Sequence, residues 1–271
     1  MSYAAADGQS YRVADAHTHI YKPKIADKAS AAIGAFYRQR MDVPTPISEQ
    51  LIAKGQEVGC ERYLVCSAAT KVEQVSSINA FIAQECDAHR EFVGLGTAHP
   101  ELTDPDALVQ QLLDLGLHGI KLHPDCQHFY IDDERMMPIY RALCEANLVV
   151  MFHVGDERYD YSAPEGVLRV LECNPGLRCH AAHFGCCRIW KRRPLVLAGA
   201  PVVYDTSSML AYASIDEALE LVDALGVEKL MWGTDFPMWD YREEIERFLA
   251  LGLSPEDNKA ILYDNFERFY L

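Results

Sequence analysis

The chain has 271 residues, 49% of them hydrophobic, and a formal net charge of −15. That is enough apolar material for one large core, and no apolar run approaches the length of a membrane span. The acidic balance excludes nucleic acid and anionic membranes as partners, since both require a basic face. It leaves a small-molecule substrate open.

The opening residues, MSYAAADGQS, have neither a basic start nor an apolar stretch, so a secretory signal is not expected. The nine cysteines are odd in number and form no C-x-x-C pair, which reads as reduced thiols in a cytoplasmic protein. The first expected strand is YRVADAH (11–17). A long connection, 21–46, follows and carries a helix of its own in KASAAIGAFYRQR. A loop of that length after a strand is expected to wall or cover a pocket. Further strands are expected at RYLVCSA (62–68), FVGLGTAH (92–99), HGIKLH (118–123) and LVVMFHVG (148–155). Three more follow at LRCHAAHFG (177–185), PVVYDTS (201–207) and KLMWGTD (229–235), making eight in all.

Amphipathic helices are expected between them. SSINAFIAQECDAH puts Ile78, Phe81, Ile82 and Cys86 on one face. TDPDALVQQLLDLG places Thr103 as the N-cap, with Pro105 in the first turn and Gly116 at the end. SIDEALELVDALG opens with a capping box, Ser214 with Glu217. Pro164 and Pro255 each start a further helix. Eight apolar strands alternating with helices predict a buried parallel sheet in a single domain, 1–271, and specifically a distorted (β/α)8 TIM barrel. An open doubly wound sheet is the alternative, but it would place a Gly-rich turn after the first strand, where this chain has His-Thr-His.

In a barrel the chemistry lies at the C-terminal ends of the strands. Those ends carry His17 and His19, then Lys121 and His123, His153, His183, the run Asp205-Thr206-Ser207, and Asp235. Residues i and i+2 of a strand share a face, so His17 and His19 can chelate one ion. A set of His17, His19, His153 and Asp235 suits zinc or a similar divalent metal with a water retained. Asp235 would also pass a proton, and His183 would hold the water or steady developing charge.

These motifs resemble the amidohydrolase superfamily, in particular its amidohydrolase-related branch. DAHTHI, GIKLHP, FHVGD, AAHFG, DTSS and GTDFP match strand by strand, and the closing DNFERF helix is of the same type. The resemblance implies that His17, His19, His153 and Asp235 are the metal ligands and that His183 and Asp235 are catalytic. It implies one divalent ion, expected to be Zn2+. A two-ion variant would have a carboxylated Lys121, with His153 and His183 on the second metal. An unmodified Lys121 would instead pair with a carboxylate or hold an anionic part of the substrate.

In the loop GCCRIWKRRP, Arg188 is a candidate carboxylate clamp and Trp190 a candidate substrate contact, while Lys191, Arg192 and Arg193 read as a solvated turn. Tyr159 is a candidate for the pocket wall. His99 and His123 are expected to face the pocket, and His180 to point opposite His183. His89, His118 and His128 are expected at the surface. The leading expectation is hydrolysis of an amide, ester or lactone by metal-activated water. The alternatives are non-oxidative decarboxylation of an unsaturated or aromatic acid, the two-metal hydrolase, and a non-catalytic metal-binding protein. A homo-oligomer is compatible with the sequence.

Overall fold

A computed structural model describes residues 2–5, 8–193 and 195–271. Eight strand segments alternate with helices along the chain, as the hydrophobic runs predict: β1 (Val13–His19), β2 (Cys60–Cys66), β3 (Phe92–Gly94), β4 (Gly119–Leu122), β5 (Val149–Phe152), β6 (Arg178–Ala181), β7 (Val202–Asp205) and β8 (Leu230–Met231). Most are shorter than the runs that announce them. In those, the polar residues that close the run, such as His123, His153, His183 and Asp235, have already left the strand for the following loop. A two-residue antiparallel pair, Tyr3–Ala4 with Ser10–Tyr11, precedes β1. No helix is long and apolar enough to cross a membrane among the described residues.

The chain divides into two compact units. The first comprises residues 1–65 and 205–271. Within it, β1 runs beside the β8 segment: the Ala16 and His19 amides donate to the carbonyls of Trp232 and Phe236 at 2.9 and 2.8 Å. Thr18 Oγ1 donates to Leu64 O in β2 at 2.8 Å. The expected continuous C-terminal helix is interrupted by a π turn, Ala260–Asp264. A π turn frees a carbonyl from the regular ladder. Ile261 O accepts from the Trp232 amide at 2.8 Å, three residues before Asp235. The long connection forms a helix, Ala26–Tyr37. Tyr37 and Met41 pack with Met238 and Trp239 in a buried cluster just past Asp235, so this connection walls the segment that carries it.

The second unit, 66–204, contains β3 to β6 and all but the last residue of β7. β4, β5 and β6 pair in parallel, with Lys121 opposite Met151 and Met151 opposite His180. β6 in turn pairs in parallel with β7. The strands are buried throughout apart from the partly buried Arg178 and Val203, which explains their unbroken apolar runs.

The helix starts follow their capping chemistry. Ser214 and Glu217 form the expected reciprocal box. At the helix Pro105–Asp114 the cap is Asp104, not Thr103: Asp104 Oδ1 accepts from the Ala107 amide at 3.0 Å. Proline sits best at the first helical position, which moves the cap to the residue just before it. All nine cysteines are free, and the adjacent Cys186 and Cys187 are both buried thiols. His128 is exposed as expected, but His89 and His118 are half-buried. Burial lowers the His118 pKa. His180 is fully buried on β6.

Glu244 is fully buried in the helix Tyr241–Leu249, where burial raises its pKa to about 8 despite the neighbouring Arg247 guanidinium. The folded state therefore holds a proton that the unfolded chain releases near pH 4.5. The stabilisation is complete below that pH and is lost as pH rises to about 8. Between pH 5 and 9, Glu244→Gln is expected to lose about 2–5 kcal/mol less stability than the parent, read from urea unfolding at both pH values. Equal losses in the two proteins would remove Glu244 as the cause.

Candidate metal centre

The first unit gathers His17, His19 and Asp235 at one point. His17 and His19 leave β1 two residues apart and on the same side, as an extended strand requires. Their Nε2 atoms are 3.2 Å apart. Asp235 Oδ1 lies 3.6 Å from His17 Nε2 and 3.4 Å from His19 Nε2. An ion about 2.1 Å from each donor would separate neighbouring donors by about 3.0 Å in octahedral and about 3.4 Å in tetrahedral geometry. The three observed separations fall in or close to that range.

Hydrogen bonds behind the cluster set its charge state. His17 Nδ1 faces Asp205 Oδ2 at 3.0 Å and Ser207 Oγ at 3.0 Å. Ser207 Oγ donates to Asp205 Oδ1 at 2.5 Å, so its own proton is committed there. The acceptor-only carboxylate keeps the His17 proton on Nδ1 and leaves a bare lone pair on Nε2. That lone pair points at another imidazole nitrogen and a carboxylate oxygen. His17 Nε2, His19 Nε2 and Asp235 Oδ1 thus meet in a nearly buried place, and two imidazole nitrogens with a carboxylate oxygen are the donor set a divalent ion takes. Asp205 and Ser207 were visible in the sequence only as a polar strand end; their orienting role appears once β7 and β1 are placed. Asp205→Asn is expected to weaken metal affinity about 10- to 100-fold without unfolding the chain, measured by competition with a coloured chelator. Unchanged affinity would remove the orienting role.

Asp235 sits at φ 56°, in the left-handed region that disfavours side chains. Its geometry is held from two sides. Ser208 Oγ donates to Asp235 Oδ2 at 2.7 Å, and Trp239 Nε1 donates to Ser208 Oγ at 3.0 Å. Nearby, the buried Asp15 carboxylate accepts from the His17 amide, the Thr234 amide and Thr234 Oγ1, tying DAHTHI to GTDFP. Burial raises the Asp15 pKa to about 7 against these hydrogen bonds. Neither Asp15 nor Ser208 stood out in the sequence, because neither pattern nor spacing marks a residue whose work is to hold another.

The second unit places the other two histidines against each other. His153 Nε2 donates to Gly155 O at 2.9 Å, which leaves Nδ1 as its lone-pair nitrogen. That Nδ1 is 3.0 Å from His183 Nε2. Cys187 lies close enough to complete a possible three-donor group with them. His183 has φ 61° and Phe184 φ 54°, so β6 ends in a sharp turn that presents the imidazole. The His123 ring stacks on His153 at 4.1 Å between centroids. Asp125 is fully buried, with Oδ2 at 3.9 Å from His153 Nε2, and burial raises its pKa to about 7.

The remaining sequence candidates fare differently. Lys121 is fully buried in β4. Arg188 Nη1 lies 3.6 Å from Glu157 Oε1, so the expected clamp already has a carboxylate of its own chain. Trp190 is half-buried with Lys191 Nζ 5.5 Å from its ring, and Tyr159 is exposed on a cavity wall. Of the expected solvated turn, Lys191 and Arg192 are exposed, whereas Arg193 pairs with Asp160 and Glu165. The loop's last residue, Pro194, lies outside the described residues. His99 lines a separate cavity of about 430 Å3 with Lys71 and Arg135.

A family model described as "Amidohydrolase" matches residues 14–271. No curated protein sequence matches the chain. Among solved structures, the chain resembles 5-carboxyvanillate decarboxylase from Novosphingobium aromaticivorans, which holds manganese and 3-methoxy-4-hydroxy-5-nitrobenzoic acid; the TM-score is 0.77 at 16% identity, covering 99% of both chains. It also resembles a dihydroxybenzoic acid decarboxylase from a Polaromonas species, which holds manganese and 2-nitroresorcinol, with a TM-score of 0.73 at 14% identity over 96% of this chain and 97% of that one. A third is a protein described as a putative 2-pyrone-4,6-dicarboxylic acid hydrolase from Pseudomonas putida, with a TM-score of 0.67 at 17% identity over 96% and 97%. At these identities the likeness establishes the fold, and it bears out the (β/α)8 barrel class expected from the strand count.

Proposed function

The chain belongs to the amidohydrolase family, and we propose that it is a metal-dependent decarboxylase acting on an aromatic or unsaturated carboxylic acid. The observation that carries the metal is the convergence of His17 Nε2, whose ring proton is drawn to Nδ1 by Asp205, with His19 Nε2 and Asp235 Oδ1. The choice of decarboxylation over hydrolysis is supported by the likeness to the two decarboxylases described above. This reverses the order given by the sequence, where hydrolysis led. Manganese in both of those structures supports Mn2+ over Zn2+, and a set of imidazoles and a carboxylate accepts either ion.

In this reading residues 1–271 act as one catalytic domain, His153 supplies the fourth ligand, and one ion is bound. When bound, the ion would supply a Lewis acid. The protein supplies the proton. Asp235 would first take a proton from solvent and then deliver it to the ring carbon as the bond to the departing carboxylate breaks; the bond's electron pair takes that proton, CO2 leaves, and the Asp235 carboxylate is reprotonated by solvent. Ser208 holds the second oxygen of Asp235 through this step. His183 steadies charge on the substrate.

Hydrolysis is the second reading, supported by the likeness to the putative pyrone hydrolase. There Asp235 would take a proton from water and pass it to the leaving group. Incubating the Mn2+-loaded protein with hydroxybenzoates and with lactones separates the two. CO2 and the decarboxylated phenol are expected from the acids. Ring-opened acid from the lactones, with no CO2 from the benzoates, would overturn the proposal.

A further inference from the structure

Within the first unit, the end of the long connection is tied along the segment that follows Asp235. The Val43 amide donates to Pro237 O at 3.2 Å and the Asp42 amide to Met238 O at 3.4 Å. Asp42 Oδ2 accepts from the Asp240 amide at 3.0 Å. Between these ties Trp239 is buried. Its ring packs with Tyr37, Met41 and Met238. Tyr212 meets it edge-on at 5.6 Å between centroids, and the Arg247 guanidinium lies 5.3 Å from the ring centroid. A ring held on so many sides keeps one orientation. Its single polar atom makes one contact: Nε1 donates to Ser208 Oγ at 3.0 Å.

An indole nitrogen can only donate, so it occupies a lone pair of Ser208 Oγ and leaves the hydroxyl proton for another acceptor. Two are in reach, Asp235 Oδ2 at 2.7 Å and Met238 Sδ at 3.7 Å. The carboxylate oxygen is nearer and is the stronger acceptor. Donation thus runs one way, from Trp239 through Ser208 to Asp235, and each bond strengthens the next. With Oδ2 engaged, Oδ1 is the oxygen that faces His17 Nε2 and His19 Nε2, at 3.6 and 3.4 Å. Ser208 and Asp235 both have left-handed backbones, at φ 61° and 56°. Such residues persist where their surroundings hold them.

We propose that Trp239 is a positioning residue for Asp235: its indole N–H, acting through Ser208, holds Oδ2 and so turns Oδ1 toward His17 and His19. Without the N–H, the Ser208 hydroxyl loses the contact that fixes its direction, and the carboxylate loses its register. The proposal rests on the reading of Asp235 as ligand and proton carrier for its effect on turnover. The hydrogen-bond relay itself is testable with neither metal nor substrate.

The test follows the indole N–H signals of the three tryptophans by NMR in the 15N-labelled full-length protein. The Trp239 signal is the one that Trp239→Phe removes, and unchanged signals from the other two show that this variant is folded. In the metal-free protein, Ser208→Ala is expected to move the Trp239 signal upfield, as loss of a hydrogen bond does, and Asp235→Asn to move it by weakening the far end of the relay. Added Zn2+, which leaves signals sharp where Mn2+ broadens them, is expected to shift the Trp239 signal in the parent and not in Ser208→Ala. At saturating Mn2+, Trp239→Phe is expected to lower kcat about 10-fold with KM held within about two-fold. A Trp239 signal indifferent to Asp235→Asn, a Zn2+ shift that survives Ser208→Ala, or an unchanged kcat in Trp239→Phe would each overturn the proposal. The two readings separate. A signal that answers to Ser208 and Asp235, with no CO2 from any acid, keeps the relay and removes the decarboxylase. CO2 release with a signal that ignores both residues does the reverse.

Discussion

Asp235→Asn is expected to lower kcat by about 10²–10⁴-fold while the protein stays folded. The substitution preserves size, and its amide oxygen can still accept from Ser208 Oγ, which now bonds Oδ2 at 2.7 Å. It removes the negative charge that faces His17 and His19 and the ability to carry a proton. Loss of charge alone would weaken the metal, so turnover must be compared at saturating Mn2+. A rate that recovers fully under saturation would make Asp235 a ligand only. A rate that stays low with the metal site full assigns it the proton. Ser208→Ala offers a graded companion, since it leaves the carboxylate but removes its hydroxyl donor and, with it, the acceptor of the Trp239 indole N–H.

The double substitution His17→Ala, His19→Ala is expected to weaken divalent-metal binding by more than about 100-fold, beyond the effect of removing an orienting partner. It takes away two of the three converging donors and the i, i+2 geometry that makes them chelating. The consequence extends to stability. A ligand that binds only the folded state raises the melting temperature by mass action, so Mn2+ should raise that of the parent and leave that of the double variant unchanged. A variant that still binds and is still stabilised would place the ion elsewhere, with the His153, His183 and Cys187 group the first place to look.

The parts of this molecule that were legible in the sequence share a physical origin. Strand periodicity put His17 and His19 on one side, and continuous apolar runs marked the buried strands that carry Lys121 and lead into His153. Capping chemistry set the start of the helix at Ser214, and proline placement marked those at Pro164 and Pro255. Each of these is decided by local interactions within a few residues. The features that were not legible depend on long-range pairing. Nothing nearby in sequence declares Glu157, some thirty residues earlier, as a partner of Arg188. Asp15 and Asp205 were part of recognisable motifs, yet their service to Thr234 and His17 spans 219 and 188 residues. The π turn at Ala260–Asp264 was hidden because its sequence keeps helical periodicity; the reason for it is the Trp232 amide that its carbonyl meets.

The most direct test is the rate of CO2 release from a dihydroxybenzoate or a carboxylated phenol, measured against added Mn2+ after chelator treatment. One ion on His17, His19 and Asp235 predicts no release without metal, then a linear rise that breaks at about one equivalent. A break at about two equivalents would contradict the single-ion centre and bring back the carboxylated Lys121, and release that does not depend on metal would contradict the centre altogether.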